Sequence, residues 1–429
     1  MTVNGKPEIN ARFSTMSSFL GALAKMFNLI DANLEKHHER TAYLAYMIAR
    51  EAGLPQEDIA ITIYAALTHD IGLTVCGVPL NYLPNREQAR RYAEVGAKLM
   101  SGFSGSEVIA NIIIHCHSSW SEYLSFSEER REAYRRSARM AAVVHLADAV
   151  STMLRQDAPV LNQVKYIRQM AAEQRDLEFS AEAVDAFMRV SEYEFIWLDL
   201  RDNPQFLHYF MGDISSVSLD RMLELTTFIS HVIDYRSSFT AMHSAGVAAS
   251  AEVLARLCGM SGDECKMIRI AGHLHDIGKL KVPRAVLEKP GRLSEEEFNL
   301  IKEHPYYTKL ILMDVEGFAK IADWAGHHHE KLNGRGYPFH FKAADLDIGS
   351  RIVSAADIFS AITEVRPYRA GMERKAAMEV LNENVRSGSL DGDIVALLSE
   401  RYDEVDRARE EAARNEGARY YESIGKITA

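Results

Sequence analysis

Apolar residues recur at helical spacing along most of the chain, whereas the alternation expected of β-strands is scarce. Runs rich in Ala, Leu and Met, such as residues 42–49 and 247–257, are typical of helices with one buried face. Capping boxes, in which a serine precedes a glutamate by three residues, are predicted at Ser261-to-Glu264 and Ser294-to-Glu297. The pattern predicts an all-α fold.

The chain also contains an internal repeat. Aligning His37 with His243 brings His69-Asp70-Ile71-Gly72 onto His275-Asp276-Ile277-Gly278 without a gap. Equal spacing that ends in the same tetrapeptide indicates two copies of one helical unit. We therefore expect two tandem helical-bundle domains.

The domain boundaries follow from this repeat. The first copy is assigned residues 1–202 and the second residues 236–429. Residues 203–235 are predicted to form a connecting helix, because the apolar residues in the second half of this segment fall on one face. The charged stretch 400–418 is predicted to be a solvent-exposed helix.

Composition narrows the function. With 429 residues, 47% of them apolar, the chain can bury a large core, and its net charge of −11 argues against a protein that coats DNA or RNA. The four cysteines form no C-x-x-C pair, which favours a reducing compartment. No signal-peptide core or membrane-spanning run is present. We expect a soluble cytoplasmic protein without a nucleic-acid or membrane partner.

Residues that bind metals are concentrated in the second copy. Histidine nitrogens and aspartate oxygens are the usual ligands of divalent first-row metals, and a carboxylate can bridge two ions. The candidates exceed the needs of one ion, so we predict a two-metal site that activates a water and holds a phosphoryl group. The candidate ligands are His243, His275, Asp276, His304, His328, His329 and Asp357.

Two neighbouring features suit a phosphate-containing substrate. Lys279 follows the His-Asp pair by one helical turn and can neutralise a phosphate oxygen. The segment Gly334–Pro338 carries Arg335 and Tyr337, which suits a wall for base stacking, although Gly and Pro alone would also produce a turn there. His273, by contrast, is predicted to be an ordinary core histidine.

The motifs of the second copy form one long pattern between about residues 236 and 400. In order they are His275-Asp276-Ile277-Gly278-Lys279, Glu303-His304-Pro305, His328-His329-Glu330, Gly336-Tyr337-Pro338, Asp357 and Arg366-Pro367-Tyr368-Arg369. Together they resemble the HD-GYP domain, the metal-dependent phosphodiesterase branch of the HD superfamily. The resemblance implies a cyclic dinucleotide substrate, cyclic di-GMP or 3′,3′-cGAMP, which water opens to a linear 5′-phosphorylated dinucleotide.

The resemblance also assigns roles to residues. The seven candidate ligands are implied to hold the metals, with Asp276 and Lys279 taking part in catalysis as a hydroxide bridging the ions attacks phosphorus. The residues implied to contact phosphate or base are Lys279, Arg335, Gly336, Tyr337, Pro338, Arg366 and Arg369.

The number and kind of metals follow from a departure from the family pattern. Members with three irons carry a glutamate one turn before the first histidine, whereas this chain has Phe239, so two ions are expected. Iron and manganese are preferred, with magnesium, nickel and zinc left open. Asn333 and Thr308, which stand where the family usually has Asp and Gly, are expected to reshape the pocket.

The first copy retains only part of this set. A minimal HD metal site is formed by the four positions His37, His69, Asp70 and Asp148, and His115 and His117 lie where later histidines are expected. Leu73 replaces the lysine, Tyr92 stands where His304 would be, and no Gly-Tyr-Pro loop follows. We expect a degenerate, regulatory HD domain, and leave open whether it binds a metal.

Three functions remain for comparison. The tandem arrangement resembles family members that degrade 3′,3′-cGAMP, and cyclic di-GMP stays open as the substrate. The alternatives are a non-catalytic scaffold that binds a cyclic dinucleotide or a protein, which the complete ligand set disfavours, and a general HD phosphohydrolase of mononucleotides, which the Gly-Tyr-Pro loop disfavours. Whether the chain forms a homodimer is left open.

Overall fold

Helices dominate the computed structural model, which confirms the predicted all-α fold. The structure describes residues 14–15, 18–19, 21–23, 25–26, 36–76, 86–101, 106–155, 157–202, 216–235, 242–289, 291–364 and 370–424. Within these ranges, the strands β1 (Ser14–Thr15) and β2 (Ser216–Val217) pair antiparallel. Among the described helices, none combines the length and the apolar character needed to cross a bilayer.

The chain forms two compact units. One comprises residues 23–212, and the other comprises residues 213–429 together with residues 1–22. The predicted domain boundaries stay a prediction, but this division groups the described end of the predicted connecting segment with the second copy.

The unit that contains the first copy is built from helices of varied length. They are α1 (His37–Glu51), α2 (Gln56–Thr68), α3 (Ile71–Cys76), α4 (Arg86–Ser101), α5 (Glu107–His115), α6 (Trp120–Leu124), α7 (Glu128–Met153), α8 (Val160–Glu173), α9 (Ala181–Val190) and α10 (Glu194–Asp202). Helix α1 packs against α2, α7 and α9, and together they bury residues such as Tyr43, Leu67 and Phe187.

The unit that contains the second copy has a 3₁₀ helix (Ile277–Lys281) among its α-helices. The α-helices are α11 (Leu219–Tyr235), α12 (His243–Leu257), α13 (Gly262–Leu274), α14 (Arg284–Leu287), α15 (Glu295–Lys302), α16 (His304–Leu312), α17 (Ala319–Gly326), α18 (Ile348–Thr363), α19 (Arg374–Arg386), α20 (Gly392–Glu400) and α21 (Tyr402–Ile424). Helix α12 packs against α13, α18 and α21.

The internal repeat is visible in the helix bounds. Helices α1 and α12 are both 15 residues long, and α2 and α13 are both 13 residues long. Each first helix is followed, just after its C-cap residue, by a glycine with positive φ, Gly53 at 69° and Gly259 at 80°, a conformation that glycine adopts without steric cost. Both predicted capping boxes are present, at the starts of α13 and α15. Because the helix lengths and the intervening turn match, the two His-Asp pairs occupy equivalent positions in their domains.

Small residues let α12 serve as the centre of its unit. A Cβ on Gly272 would lie 2.6 Å from the Cα atom of Ala248, so α13 crosses α12 at a contact that only glycine permits. A Cβ on Gly246 would lie 3.1 Å from Cγ of Arg409 in α21. The close crossings hold His243, at the start of α12, near the end of α13.

The two flanking helices were predicted with mixed success. Helix α11 buries Met222, Leu225 and Ile229 against α13 and the 3₁₀ helix, as the apolar spacing predicted, while residues 203–215 lie outside the described residues. The prediction that 400–418 is simply a solvent-exposed helix was wrong. Helix α21 buries Val405 and Arg409 against α12, because the small residues of α12 leave room for a packed neighbour.

Candidate metal and phosphate site

The His-Asp pair of the second copy lies where α13 stops. His275 is the residue that ends the helix, and Asp276 begins the turn into the 3₁₀ helix. The ring of His275 is held by its Nδ1, which lies 2.8 Å from the carbonyl oxygen of Gly272, one turn back. Its Nε2 therefore faces away from the helix and toward the other candidate ligands.

One group of ligands surrounds Asp357 on α18. Nε2 of His243 lies 3.1 Å from Oδ1 of Asp357, and Nε2 of His275 lies 3.9 Å from the same oxygen. Nε2 of His275 is also 3.3 Å from Oδ2 of Asp276. Two imidazoles and two carboxylates thus converge on one point.

A second group lies on the other side of Asp276. Its Oδ1 is 3.3 Å from Nε2 of His304 and 3.9 Å from Nε2 of His328, and the two imidazole nitrogens are 3.2 Å apart. His329 completes the group, with Nδ1 4.0 Å from Oδ2 of Asp357. Because the two oxygens of Asp276 face different groups, this carboxylate has the geometry of a bridge between two ions.

The donors fit divalent metals. Nε2 of His275 and Oδ1 of Asp276 are buried and make no hydrogen bond within the described part of the chain. Buried polar atoms without such partners are costly unless something else, here a cation, satisfies them. His243, His275 and Asp276 offer atoms within 4.8 Å of one another, as do His304, His328 and His329.

Charge states also suit metal binding, which requires deprotonated ligands. Burial opposes the charge on Asp276, but His275 and Lys279 hold its pKa well below the usual value. Burial lowers the pKa of His304 and His328, and it lowers that of His329 to about 3. The second group therefore presents neutral imidazoles and an ionised carboxylate at neutral pH.

His243 differs from the other histidines. Burial lowers its pKa, but Asp357 on Nε2 and Glu364 on Nδ1 outweigh burial and raise the pKa to about 10. Nδ1 lies 3.4 Å from Oε2 of Glu364. Sequence analysis did not single out Glu364, since it belongs to none of the motifs.

Lys279 lies at the edge of the cluster. Its Nζ is 2.5 Å from Oδ2 of Asp276, an ion pair across three residues of the 3₁₀ helix. The side chain is about a quarter exposed, so the ammonium is at the mouth of the site rather than within it. A phosphate oxygen arriving there would meet both the lysine and the ligand cluster.

The loop after the histidines places an aromatic ring against the cluster. The Tyr337 ring centroid is 4.9 Å from that of His329, with 40° between the planes. The buried carboxylate of Glu330 accepts hydrogen bonds from the backbone N–H groups of Phe339, at 2.7 Å, and Phe341, at 3.0 Å. Glu330 thus ties this loop to the end of the histidine run, a role that its place in the motif did not reveal.

The remaining predicted contacts vary in position. Gly336 is buried, and a Cβ there would lie 2.4 Å from Cα of Glu330, so the loop requires glycine. Pro338 follows Tyr337 through a cis peptide bond. Arg335 is exposed and forms no ion pair with a described residue. Arg366, Arg369 and Phe239 lie outside the described residues.

Two other predictions can be compared with the structure. His273 is buried beside the hydroxyls of Thr227 and Ser230, each 3.4 Å from a ring nitrogen, which confirms it as a core residue. Thr308 donates to the carbonyl oxygen of His275 at 2.9 Å and accepts from the N–H of Gly278 at 3.0 Å. The departure at Thr308 therefore links α16 to the His-Asp turn.

The first copy assembles its own cluster. Nε2 of His37 lies 3.6 Å from Asp70 and 3.3 Å from Asp148, and Nε2 of His69 lies 3.2 Å and 3.5 Å from the same two side chains. His117 is within 3.8 Å of both carboxylates. Of the six side chains predicted near this site, five are thus brought together, and His115 is not.

Two histidines of the first copy lie where the sequence did not predict them, one outside the cluster and one beside it. His115 packs against Phe126 and Tyr134, away from the cluster, so its expected place among the ligands was wrong. His38, which sequence analysis passed over, is fully buried with Nε2 3.7 Å from Asp70. Only its position beside His37 could have drawn attention to it.

Tyr92 occupies the place of His304. A Cβ on Gly278 would lie 2.0 Å from the carbonyl oxygen of His304, and a Cβ on Gly72 would lie 1.9 Å from that of Tyr92. The same backbone contact is therefore made by a histidine in the second copy and by a tyrosine in the first.

Family models agree with this geometry. Residues 34–153 and residues 227–394 each match a model described as an HD domain. The chain therefore belongs to the HD domain family, with two HD domains in tandem. Together with the relatives below, this confirms the HD-GYP phosphodiesterase resemblance found in the motifs.

Curated relatives are similar over different lengths. The 3′3′-cGAMP-specific phosphodiesterase 1 of Vibrio cholerae is 28% identical over 400 residues, which cover 89% of this chain and 91% of the relative. The 3′3′-cGAMP-specific phosphodiesterase 3 of the same organism is 39% identical over 180 residues, 42% of this chain and 39% of the relative. A cyclic di-GMP phosphodiesterase of Pseudomonas aeruginosa is 36% identical over 146 residues, 34% of this chain and 35% of the relative.

A solved structure shares the fold. The crystal structure of a cyclic GMP-AMP-specific phosphodiesterase of V. cholerae matches with a TM-score of 0.62 and 20% identity, over 91% of this chain and 98% of that chain. The likeness supports the tandem helical architecture.

Proposed function

We propose that this chain is a cyclic-dinucleotide phosphodiesterase and that its second HD domain opens the substrate to a linear 5′-phosphorylated dinucleotide. The observation that carries the proposal is the bridging position of Asp276, whose two oxygens face His275 on one side and His304 on the other. A site for two cations beside a lysine and an aromatic ring suits hydrolysis of a phosphodiester that carries a base.

The ligands divide into two sets around Asp276. His243, His275 and Asp357 would hold one ion, and His304, His328 and His329 would hold the other. When bound, divalent ions such as iron or manganese supply Lewis acidity that activates water and offsets negative charge on the phosphoryl group. The chain contributes the orientation of the ligands and the exclusion of bulk water.

Lys279 and Tyr337 would bind the substrate itself. The ammonium of Lys279, paired with Asp276 in this structure, is placed to exchange that contact for a phosphate oxygen as charge develops. Tyr337, packed on His329, offers a face on which a base can stack. Arg335, Gly336, Pro338, Arg366 and Arg369 stay proposed contacts on the strength of the motif resemblance.

We favour 3′,3′-cGAMP as the substrate, with cyclic di-GMP as the second candidate. The relative that is similar over 89% of this chain is named as specific for 3′3′-cGAMP, whereas the cyclic di-GMP phosphodiesterase of P. aeruginosa is similar over 34%. The cluster of candidate metal ligands and Lys279 support hydrolysis of either cyclic dinucleotide. Only the residues that contact the bases can distinguish 3′,3′-cGAMP from cyclic di-GMP.

The first HD domain is proposed to regulate rather than to hydrolyse. It has a buried leucine, Leu73, in place of Lys279 and Tyr92 in place of His304. We propose that His37, His69, Asp70 and Asp148 hold one ion there. His117, which lies within 3.8 Å of both carboxylates, supports this site.

Location and assembly are proposed from simpler observations. The described cysteines Cys116, Cys258 and Cys265 are free thiols, which agrees with a reducing cytoplasm. The net charge of −11 makes DNA or RNA an unsuitable partner. Whether the chain forms a homodimer stays open, and analytical ultracentrifugation would measure its oligomeric state.

The experiment incubates the purified chain with Mn²⁺ or Fe²⁺ and, separately, 3′,3′-cGAMP, cyclic di-GMP and a set of mononucleotides. Chromatography and mass spectrometry identify the products. A linear dinucleotide is expected, with faster turnover of 3′,3′-cGAMP. Binding without product would identify a scaffold, and a dephosphorylated mononucleotide would identify a general HD phosphohydrolase, so either result contradicts the proposal.

A further inference from the structure

The imidazole of His243 lies between two carboxylates. Its Nε2 is 3.1 Å from Oδ1 of Asp357, within the ligand cluster, and its Nδ1 is 3.4 Å from Oε2 of Glu364. Glu364 is only 7% exposed. Because the two ring nitrogens point to different sides of the imidazole, Glu364 contacts His243 from behind the proposed metal position.

Three other histidines of the cluster have their rings oriented by backbone carbonyl groups. Nδ1 of His275, His304 and His328 lies 2.6 to 2.8 Å from the carbonyl oxygen of the residue three positions earlier. His243 is the first residue of α12, and the residue three positions before it lies outside the described residues. Among the described residues, the side chain that faces its Nδ1 is the carboxylate of Glu364, at 3.4 Å.

The first domain uses a hydroxyl for this purpose. His37 also starts its helix, and its Nδ1 lies 3.2 Å from Oγ of Ser151. Ser151 follows Asp148 by three residues, as Ser360 follows Asp357. In the second domain, however, Oγ of Ser360 makes no hydrogen bond among the described residues, and Nδ1 of the histidine faces Glu364, one turn further along.

A carboxylate is an unfavourable group at this position unless it has a partner. Glu364 caps the C-terminal end of α18, where the helix dipole disfavours negative charge, and burial disfavours it further. Its backbone is fixed by a hydrogen bond from its N–H to the carbonyl oxygen of Ser360 at 2.9 Å. The imidazole of His243, with Nδ1 3.4 Å from Oε2 of Glu364, offsets part of both costs as an ion-pair partner.

We infer that Glu364 is a positioning residue of the metal site, whose carboxylate holds the Nδ1–H of His243 so that Nε2 presents its lone pair to the ion. This inference rests on the proposed function, which takes His243 as a ligand. Partners of this kind fix the tautomer and ring orientation of metal-binding histidines, and losing one lowers metal affinity about 10- to 100-fold.

The test measures Mn²⁺ binding to the metal-free, full-length chain by following the EPR signal of free Mn²⁺. All proteins carry His69→Ala and Asp70→Ala, so that the second domain alone is measured. Glu364→Gln keeps the size of the side chain and is expected to raise the Kd about 10- to 100-fold. Glu364→Asp keeps the negative charge but moves it away from His243, because the side chain is one methylene shorter. Its Kd for Mn²⁺ is expected to lie between those of the Gln variant and the parent chain.

Activity supplies a readout that general damage to the fold would not reproduce. At saturating Mn²⁺, kcat of Glu364→Gln is expected to return toward the value of the parent chain, because the ligand itself remains. Glu379→Gln, on the exposed face of α19, is the matched control and is expected to change neither Kd nor kcat. If Glu364→Gln fails to fold, as judged by circular dichroism, Glu364→Asp decides the question.

His243→Ala separates the inference from the proposed function. If His243→Ala binds Mn²⁺ as the parent chain does, His243 is not a ligand and the proposed site is wrong. If His243→Ala weakens binding while both Glu364 variants bind normally, the site stands and the inference about Glu364 is overturned.

Discussion

In both HD domains, a helix of 15 residues starts with a cluster histidine and a helix of 13 residues leads to the His-Asp pair. The domains diverge immediately afterwards. In the second, a 3₁₀ helix carries Lys279 beside Asp276, whereas in the first the equivalent Leu73 is buried. The shared helices bring together four candidate ligands, and the segments that follow decide whether a second group of candidate ligands joins them.

The difference is sharpest at one backbone contact. The glycine of each His-Asp-x-Gly motif packs against a backbone carbonyl of a later helix, that of Tyr92 in α4 of the first domain and that of His304 at the start of α16 in the second. The backbone contact is thus retained while the side chain at that position changes from a phenol to an imidazole. The fold of the two copies therefore does not depend on which of these side chains is present.

The largest expected effect comes from removing the two His-Asp pairs in turn. His275→Ala with Asp276→Ala should lower turnover by about 10³-fold or more, because the ions supply several kcal/mol of transition-state stabilisation. His69→Ala with Asp70→Ala should lower it by much less. Steady-state hydrolysis of 3′,3′-cGAMP measures both, and equal losses would show that the first domain also catalyses.

Lys279→Ala should have the next largest effect. Its ammonium stabilises charge that develops on phosphate, so kcat should fall about 10²- to 10³-fold while metal content is retained. Metal analysis beside the kinetic assay makes the distinction, and Lys281→Ala, two residues further along and exposed, is the matched control. Loss of metal from the Lys279 variant would assign the lysine to metal retention instead.

Glu330→Gln should loosen the loop that carries Tyr337. The carboxylate accepts two backbone N–H groups, and hydrogen bonds to a charged group contribute about 1.5–3 kcal/mol each, so part of that stabilisation should be lost. We expect a KM about tenfold higher with a smaller change in kcat. A fall in kcat alone would mean that the loop does not bind the substrate before the reaction.

The smallest expected effect is that of Thr308→Val. Its hydroxyl joins the carbonyl oxygen of His275 to the N–H of Gly278, a bridge that the first domain lacks because Gly96 stands at that position. Leaving two buried backbone groups unpaired should lower the free energy of unfolding by about 1–3 kcal/mol. Denaturant unfolding of the metal-free chain checks this value, and an unchanged midpoint would mean that water replaces the hydroxyl.

The residues that cluster in the second domain could be singled out from the sequence, because several of them occupy positions with a local signal. His243, His275 and His304 each stand at the start or end of a helix, and helix ends can be recognised from capping residues and spacing. The repeat then showed which of these positions the first copy shares. For the same reason, all-α architecture and the core role of His273 followed from the residue pattern.

Other features depend on contacts between segments that are distant in sequence. Whether His115 or His117 joins the first cluster is decided by the direction of the chain after α5, and Glu364 reaches His243 across more than one hundred residues of sequence. Neither of these contacts can be predicted from neighbouring residues in the sequence. The direction of a side chain after the end of a helix depends on the segments that pack against it. The sequence alone determined the helices, the repeat and the residue types of the site, whereas tertiary packing decided which nitrogen of each imidazole faces the cluster, since that choice depends on the group on the far side of the ring.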